Sequence, residues 1–300
     1  MKTRINIAGA YSKHTEIKFI IKSIPEILTE CDITVYDGIR NCSWNGGRIN
    51  KNIYDRDDIT NYYYDNNITV ALTLTNPVID TKDSIGNDIL KRFHRTGNTI
   101  ISVNENLLRY IKDEYPLYKH TRSITSFGNI SVPMCDSDYN RYTRLEEMYD
   151  YIVPRCEHVF DTRFKTLNQS KYEIMLNDTC VYRCPFYGDH FKKIAEQNRI
   201  YKEPWTPSNI KSMKNIEECW LSNKSDIKPT NTFIPESYHN RTRDKLGDTY
   251  GMDLTSKQIS SLIKQGISNF KITGREMSTA DYMSELRTYS TGVITASKDK

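Results

Sequence analysis

The 300-residue chain has no apolar run approaching the roughly 20 residues that a membrane span requires. Its opening, MKTRINIAGAYSKHTE, lacks the apolar core of a signal peptide. These two absences give the expectation of a cytosolic protein with no membrane partner. A strong charge of one sign is also missing. The 42 basic and 38 acidic residues leave a formal +4, too small an excess to indicate nucleic acid by electrostatics alone. There is no internal repeat, and no low-complexity tract beyond Tyr62-Tyr63-Tyr64. No G-x-x-x-x-G-K-[ST] phosphate loop, H-E-x-x-H or G-x-S-x-G elbow occurs, which sets aside several nucleotide-binding and hydrolytic classes. Cysteine is neither absent nor even in number. Seven in a chain read as cytosolic argue for reduced thiols rather than a disulfide framework.

What is present is a chain long enough for one large core, 37% hydrophobic and 27% charged. Short β-branched runs alternate with stretches of helical period. Strands are expected at Ile5 to Ala8, Ile33 to Tyr36, Ile68 to Leu74, Asn98 to Val103, Arg122 to Thr125, Tyr151 to Pro154, Tyr172 to Leu176 and Phe270 to Ile272. Helices are expected at Glu16 to Leu28, Ser84 to Arg95 (capped by Gly97), Glu105 to Glu114, Arg144 to Tyr149, Ser256 to Gln265 and Ser278 to Tyr289. The alternation fails between about 186 and 251, a polar segment rich in Asn, Lys, Ser and Pro that reads as a long excursion after the seventh strand. The predicted architecture is α/β, a (β/α)8 TIM-like barrel with an enlarged loop after strand seven. One domain covers residues 1–290, and 291–300 is expected to be a flexible tail.

The most informative stretch is Tyr172 to His190. A short apolar run ends at Asn177-Asp178, and Cys180-Val-Tyr-Arg-Cys184-Pro follows. Two thiols on one tight loop at the end of a rigid strand form a ready chelate for a soft metal, because little further ordering is needed to aim both sulfurs at one ion. With Cys219 and His190 the pair would also suit tetrahedral zinc. The bland alternative is two small buried hydrophobes. In a barrel, function collects at the C-terminal ends of the strands. Cys42, Cys135, Cys156, Cys180, Cys184 and Cys219 all follow a predicted strand or lie in the long loop, whereas Cys31 precedes strand two.

These residues resemble a known family. L-N-D-T-C-V-Y-R-C-P-F-Y-G-D-H at 176–190 and G-I-S-N-F-K-I-T-G-R at 266–275 look like the paired signatures of the peptidase U32, or collagenase-like, family. V-Y-D-G at 35–38 and G-N-T-I-I-S-V-N at 97–104 add to the likeness. The resemblance is specific over the last 130 residues or so and rests elsewhere on the order of elements. It implies a TIM-like barrel and, in several branches, a [4Fe-4S] cluster on four cysteines. It also implies action in oxygen-independent hydroxylation of RNA or of small aromatic precursors. Cys180 and Cys184 match the Cys-x3-Cys pair, and Cys219 falls where a downstream ligand is expected. Related chains carry a further cysteine shortly after that point, where this one reads W-L-S-N-K-S-D. Cys42, in C-S-W-N-G-G-R, is the preferred fourth ligand, with Cys156 and Cys135 as competitors. Arg183, Lys271 and Arg275 would offset the cluster's negative charge.

Four further residues are candidates for substrate binding. Arg275 follows Gly274 after the last strand, where a forked guanidinium grips carboxylate or phosphate; its alternative is pairing with an internal acid such as Glu276 or Asp178. Asp37 and Asn104 end strands two and four and would hydrogen-bond a substrate in the mouth, although both types are ordinary turn formers. His190 either serves the site or packs structurally against the loop. The leading expectation is an iron-sulfur redox or hydroxylating protein acting on RNA or a small anionic or aromatic substrate, with a protein partner allowed. A metal-dependent peptidase and a non-catalytic barrel stapled by zinc or a cluster are the rivals. No acid or base for a peptidase can be named.

Overall fold

The computed structural model describes residues 2–39, 42–46, 56–77, 83–128, 130–178, 187–188, 191–192, 195, 253–275 and 277–299. Alternation along each strand explains the architecture. In β1 (Thr3–Ala8) the residues Ile5 and Ile7 join one large apolar cluster with residues from the helices, whereas Ala8 joins a separate small cluster with Tyr36, Ala71 and Ile101. A strand places successive side chains on opposite faces. One face of each strand therefore meets the helices and the other meets the barrel axis.

The remaining strands are β2 (Cys31–Asp37), β3 (Thr69–Leu74), β4 (Thr99–Ser102), β5 (Lys119–Arg122), β6 (Tyr151–Ile152), β7 (Glu173–Met175) and β8 (Asn269–Ile272). All pairings are parallel, in the order β6-β5-β4-β3-β2-β1-β8-β7. A parallel bridge from Ile152 to Tyr172 joins the two ends of that sheet. The result is the predicted (β/α)8 barrel. Helices α1 (His14–Ser23), α2 (Glu26–Glu30), α3 (Asp57–Asp65), α4 (Ser84–Arg92), α5 (Glu105–Glu114), α6 (Asp136–Met148), α7 (Ser256–Gln265) and α8 (Thr279–Lys298) connect the strands.

The helix expected over Glu16 to Leu28 is two helices, because Pro25 at the start of α2 has no N–H to continue the first. Helix α3 lies within the polar stretch that showed no periodicity. Its Ile59 and Tyr63 are buried, and the Tyr63 hydroxyl donates to the Ala10 carbonyl at 2.6 Å. Strand β5 begins three residues before the expected Arg122, and Ile124–Ser126 is a 3-10 turn. Its Lys-His-Thr-Arg sequence carries no apolar signal. Gly97 has φ +92 as its residue type suggests, but it serves the turn into β4, since α4 ends at Phe93.

The expected flexible tail at 291–300 is a correction. Helix α8 continues to Lys298, with Val293, Ile294 and Ala296 buried, and Thr3 Oγ1 lies 2.8 Å from Ser297 Oγ. Small and polar residues hide this last turn in the sequence. No described helix is long and apolar enough to cross a membrane.

Candidate functional site

Three of the residues singled out from the sequence, Asp37, Asn104 and Arg275, stand just at or after the C-terminal ends of strands. Asp37, at the end of β2, is 1% exposed. Its Oδ2 accepts from the backbone N–H of Tyr11 at 3.2 Å and of Ser12 at 3.3 Å, and from the Ser12 hydroxyl at 3.2 Å. Its Oδ1 accepts from the Gly38 N–H at 3.0 Å and from Arg275 Nη1 at 3.2 Å. The carboxylate is thus engaged by protein donors on both oxygens. It ties the loop after β1 to the loop after β8. Arg275 pairs with Asp37, an acid that the sequence does not suggest as its partner, and Glu276 lies outside the described residues.

Asn104 is the N-cap of α5. Its Oδ1 accepts from the N–H groups of Asn106 and Leu107, and its Nδ2 donates to the Pro77 carbonyl at 3.1 Å. This is the capping role that Asn performs at helix starts. Asn177, at the end of β7, clamps β8: its Oδ1 accepts from Thr273 N–H at 2.7 Å, and its Nδ2 reaches the Thr273 carbonyl and Glu285.

Below this rim the barrel interior is charged. Glu173 is fully buried and accepts from Arg4 Nη1 at 2.9 Å, from Asn6 Nδ2 at 3.2 Å and from Lys271 Nζ at 3.4 Å. Lys271 Nζ also lies 4.0 Å from the centroid of the Tyr36 ring. Burial holds the Lys271 ammonium below the usual lysine range, and Glu173 acts against that shift. Arg4 stacks on Tyr151 and reaches Thr34 and Thr99, so one side chain touches residues from three other strands besides Glu173. None of this network was singled out as a unit from the sequence; the only signal was charge within strands that otherwise alternate.

Cys180, Cys184, Cys219 and His190 lie outside the described residues, as do Arg183 and most of the segment 186–251. The four described cysteines form no disulfide. Cys42 is 4% exposed and packs in the apolar cluster outside the barrel. Its segment docks on the β3 and α4 side: Ser43 N–H donates to Asp83, the Trp44 carbonyl accepts from Asn76 N–H, and Trp44 covers the face of α4 at Gly86. Cys135 is the N-cap of α6, where hydrogen bonds from the Ser131 and Ser137 hydroxyls lower its thiol pKa. Cys156 follows β6 and is buried. Its Sγ lies 3.6 Å from Asp178 Oδ2, and burial together with that carboxylate raises its pKa well above the usual thiol range. Asp178 stands two residues before Cys180 in the chain. The fold therefore brings Cys156 to Asp178, three residues after the end of β7. No group of three or more His, Cys, Asp and Glu able to hold a metal occurs among the described residues.

A cleft of about 420 Å³ opens over the ends of β3, β4 and β5. Arg122, Lys192 and Glu105 supply its charged groups, and Pro77, Val103 and Phe191 its apolar wall. Glu105 is bound to Arg144 at 2.9 Å, which holds its carboxyl below the usual range.

No family model matches this chain, and no curated protein does. Among solved structures, the GH18 chitinase ChiB from the chitin utilization locus of Flavobacterium johnsoniae aligns with 99% of this chain and 94% of its own. The two share 12% identity at a TM-score of 0.44. A likeness of that size carries no chemistry from one protein to the other.

Proposed function

We propose that this barrel binds an iron-sulfur cluster at the exit of β7 and acts in redox or oxygen-independent hydroxylation chemistry on RNA or a small aromatic substrate, as a divergent relative of the peptidase U32 family. One observation carries the reading. Cys156 Sγ meets Asp178 Oδ2 two residues ahead of the Cys180-x3-Cys184-Pro motif. A third thiol thus stands beside the point where a two-thiol chelate begins. Cys180, Cys184 and Cys219 are the ligands drawn from the resemblance. Among the candidates Cys42, Cys135 and Cys156 for the fourth, Cys156 is preferred for its contact with Asp178, which precedes the motif by two residues.

The four proposed ligands are all cysteines. Thiolates bind iron-sulfur clusters, and Cys156 is held protonated against a carboxylate, a proton that ligation would release. Such a cluster supplies electron transfer when bound. Lys271, on β8 and paired with Glu173, and Arg275, just after β8 and paired with Asp37, stand on or beside the strand next to β7. The Asp37–Arg275 tie holds the loops after β1 and β8 at that rim.

Protein purified without oxygen tests the reading by its visible spectrum and by iron and sulfide counts. About four irons and four sulfides per chain are expected, with loss of the colour in Cys180→Ser and Cys156→Ser and its retention in Cys42→Ser. One zinc and no colour would instead support a structural or hydrolytic metal. No metal at all would remove the cluster from the reading.

A further inference from the structure

We infer that the cleft over β3, β4 and β5 is a binding site for a small molecule carrying an anionic group, a phosphate monoester or a carboxylate, on a compact apolar body. The site is separate from the β7 exit, and the inference does not depend on the cluster. Its base is a guanidinium placed by the fold. Arg122 ends β5, and three of its N–H directions are taken: Nε donates to Ser126 Oγ at 2.8 Å, and Nη1 to the Val103 carbonyl at 2.7 Å and to the Tyr149 hydroxyl at 2.9 Å. These bonds, with the Tyr149 ring 5.5 Å from the guanidinium carbon, fix the group in one orientation. Nη2 has no hydrogen-bond partner among the described residues, so its two N–H groups remain for an oxygen ligand.

The surroundings define the ligand. The acid of the cleft, Glu105, is engaged by Arg144. An entering anion therefore meets Arg122, in a cleft that Lys192 also lines and whose carboxylate is already paired. Pro77, Val103 and Phe191 take apolar surface, which the charged pair alone would not require. A few polar groups on an apolar cleft of several hundred Å³ is the common form of a small-molecule site. Gly128 adds room: its φ is +57, and, its chain neighbours aside, no atom of the described residues lies within 4 Å of where a Cβ would stand.

The test is equilibrium binding to the full chain at low salt, with butyl phosphate, pentanoate and, as the uncharged control, 1-pentanol. Saturable binding of butyl phosphate, of pentanoate or of both is expected, at least about tenfold tighter than the alcohol, the scale of one charge-assisted hydrogen bond. Which anion binds identifies the head group. Arg122→Gln should weaken the anion about tenfold and leave the alcohol unchanged. Arg122 also supports Val103 and Tyr149, so Lys192→Glu, at an exposed position, is the companion variant and should weaken the anion by a similar factor without loss of fold. Equal binding of alcohol and anions, no saturable anion binding, or anion binding that survives both substitutions would each overturn the assignment.

Discussion

Outward from the strands stand Ile5, Ile7, Ile33, Val35, Val70, Leu72, Ile100, Ile174, Phe270 and Ile272, all in one apolar layer beneath the helices. Inward from the same strands stand Arg4, Asn6, Thr34, Thr99, Glu173 and Lys271, linked through hydrogen bonds and ion pairs. The outer layer is driven by apolar area removed from water, a non-directional force that tolerates shape-preserving change. The inner network is directional. Taking charges out of water is costly, and the cost is offset only when every partner is in place. The barrel is thus stable because of its outer face and particular because of its inner one.

This contrast can be broken at several points. Deleting residues 290–300 removes Val293 and Ile294 from the outer layer and should cost about 5 kcal/mol, at roughly 1.5–3 kcal/mol per buried side chain plus the helix contacts. Urea unfolding measures it, and a loss under 1 kcal/mol would return this segment to the status of a tail.

Inside the barrel, Glu173→Gln leaves Arg4 and Lys271 buried without their carboxylate and should cost about 4 kcal/mol. Methionine at positions 4, 173 and 271 together should recover much of that loss, because no charge remains to be paired. If the triple substitution is worse than the single one, the network contributes net stability and the contrast fails.

The smallest effect is a pH dependence in the outer layer. His120 points into that layer from β5, and burial, with Lys112 nearby, pushes its pKa from 6.5 down to about 4. Between those values the unfolded chain binds the extra proton and the folded one does not, so stability is full above pH 6.5 and falls toward pH 4. The change is about 3 kcal/mol. His120→Leu should flatten the profile in that window relative to the parent chain, and identical profiles would remove His120 as the cause.

Much of the fold was legible because its physics is local. Ser256 to Gln265 and Glu105 to Glu114 were read with the bounds the structure shows, since capping residues and helical period coincide there. Strand β5 was misplaced because its inward and outward residues are polar, and α3 was missed because its buried stripe of Ile59, Thr60 and Tyr63 is short and set among Asn, Asp and Tyr. At the site, the sequence marked Asp37, Asn104 and Arg275 by their places at strand ends. It did not tell that Asp37 and Arg275 hold each other across 238 positions.

The sequence by itself determined the alternation of eight strands with helices, and hence the barrel, because period and capping act over a few residues. It also determined the two thiols of the Cys-x3-Cys motif as neighbours. Only the tertiary structure decided which distant groups meet: Cys156 with Asp178, Arg4 with Glu173, and Arg122 with the loop after β4. Those contacts arise when eight strands close and set residues far apart in the chain on one rim, and no local propensity encodes that closure.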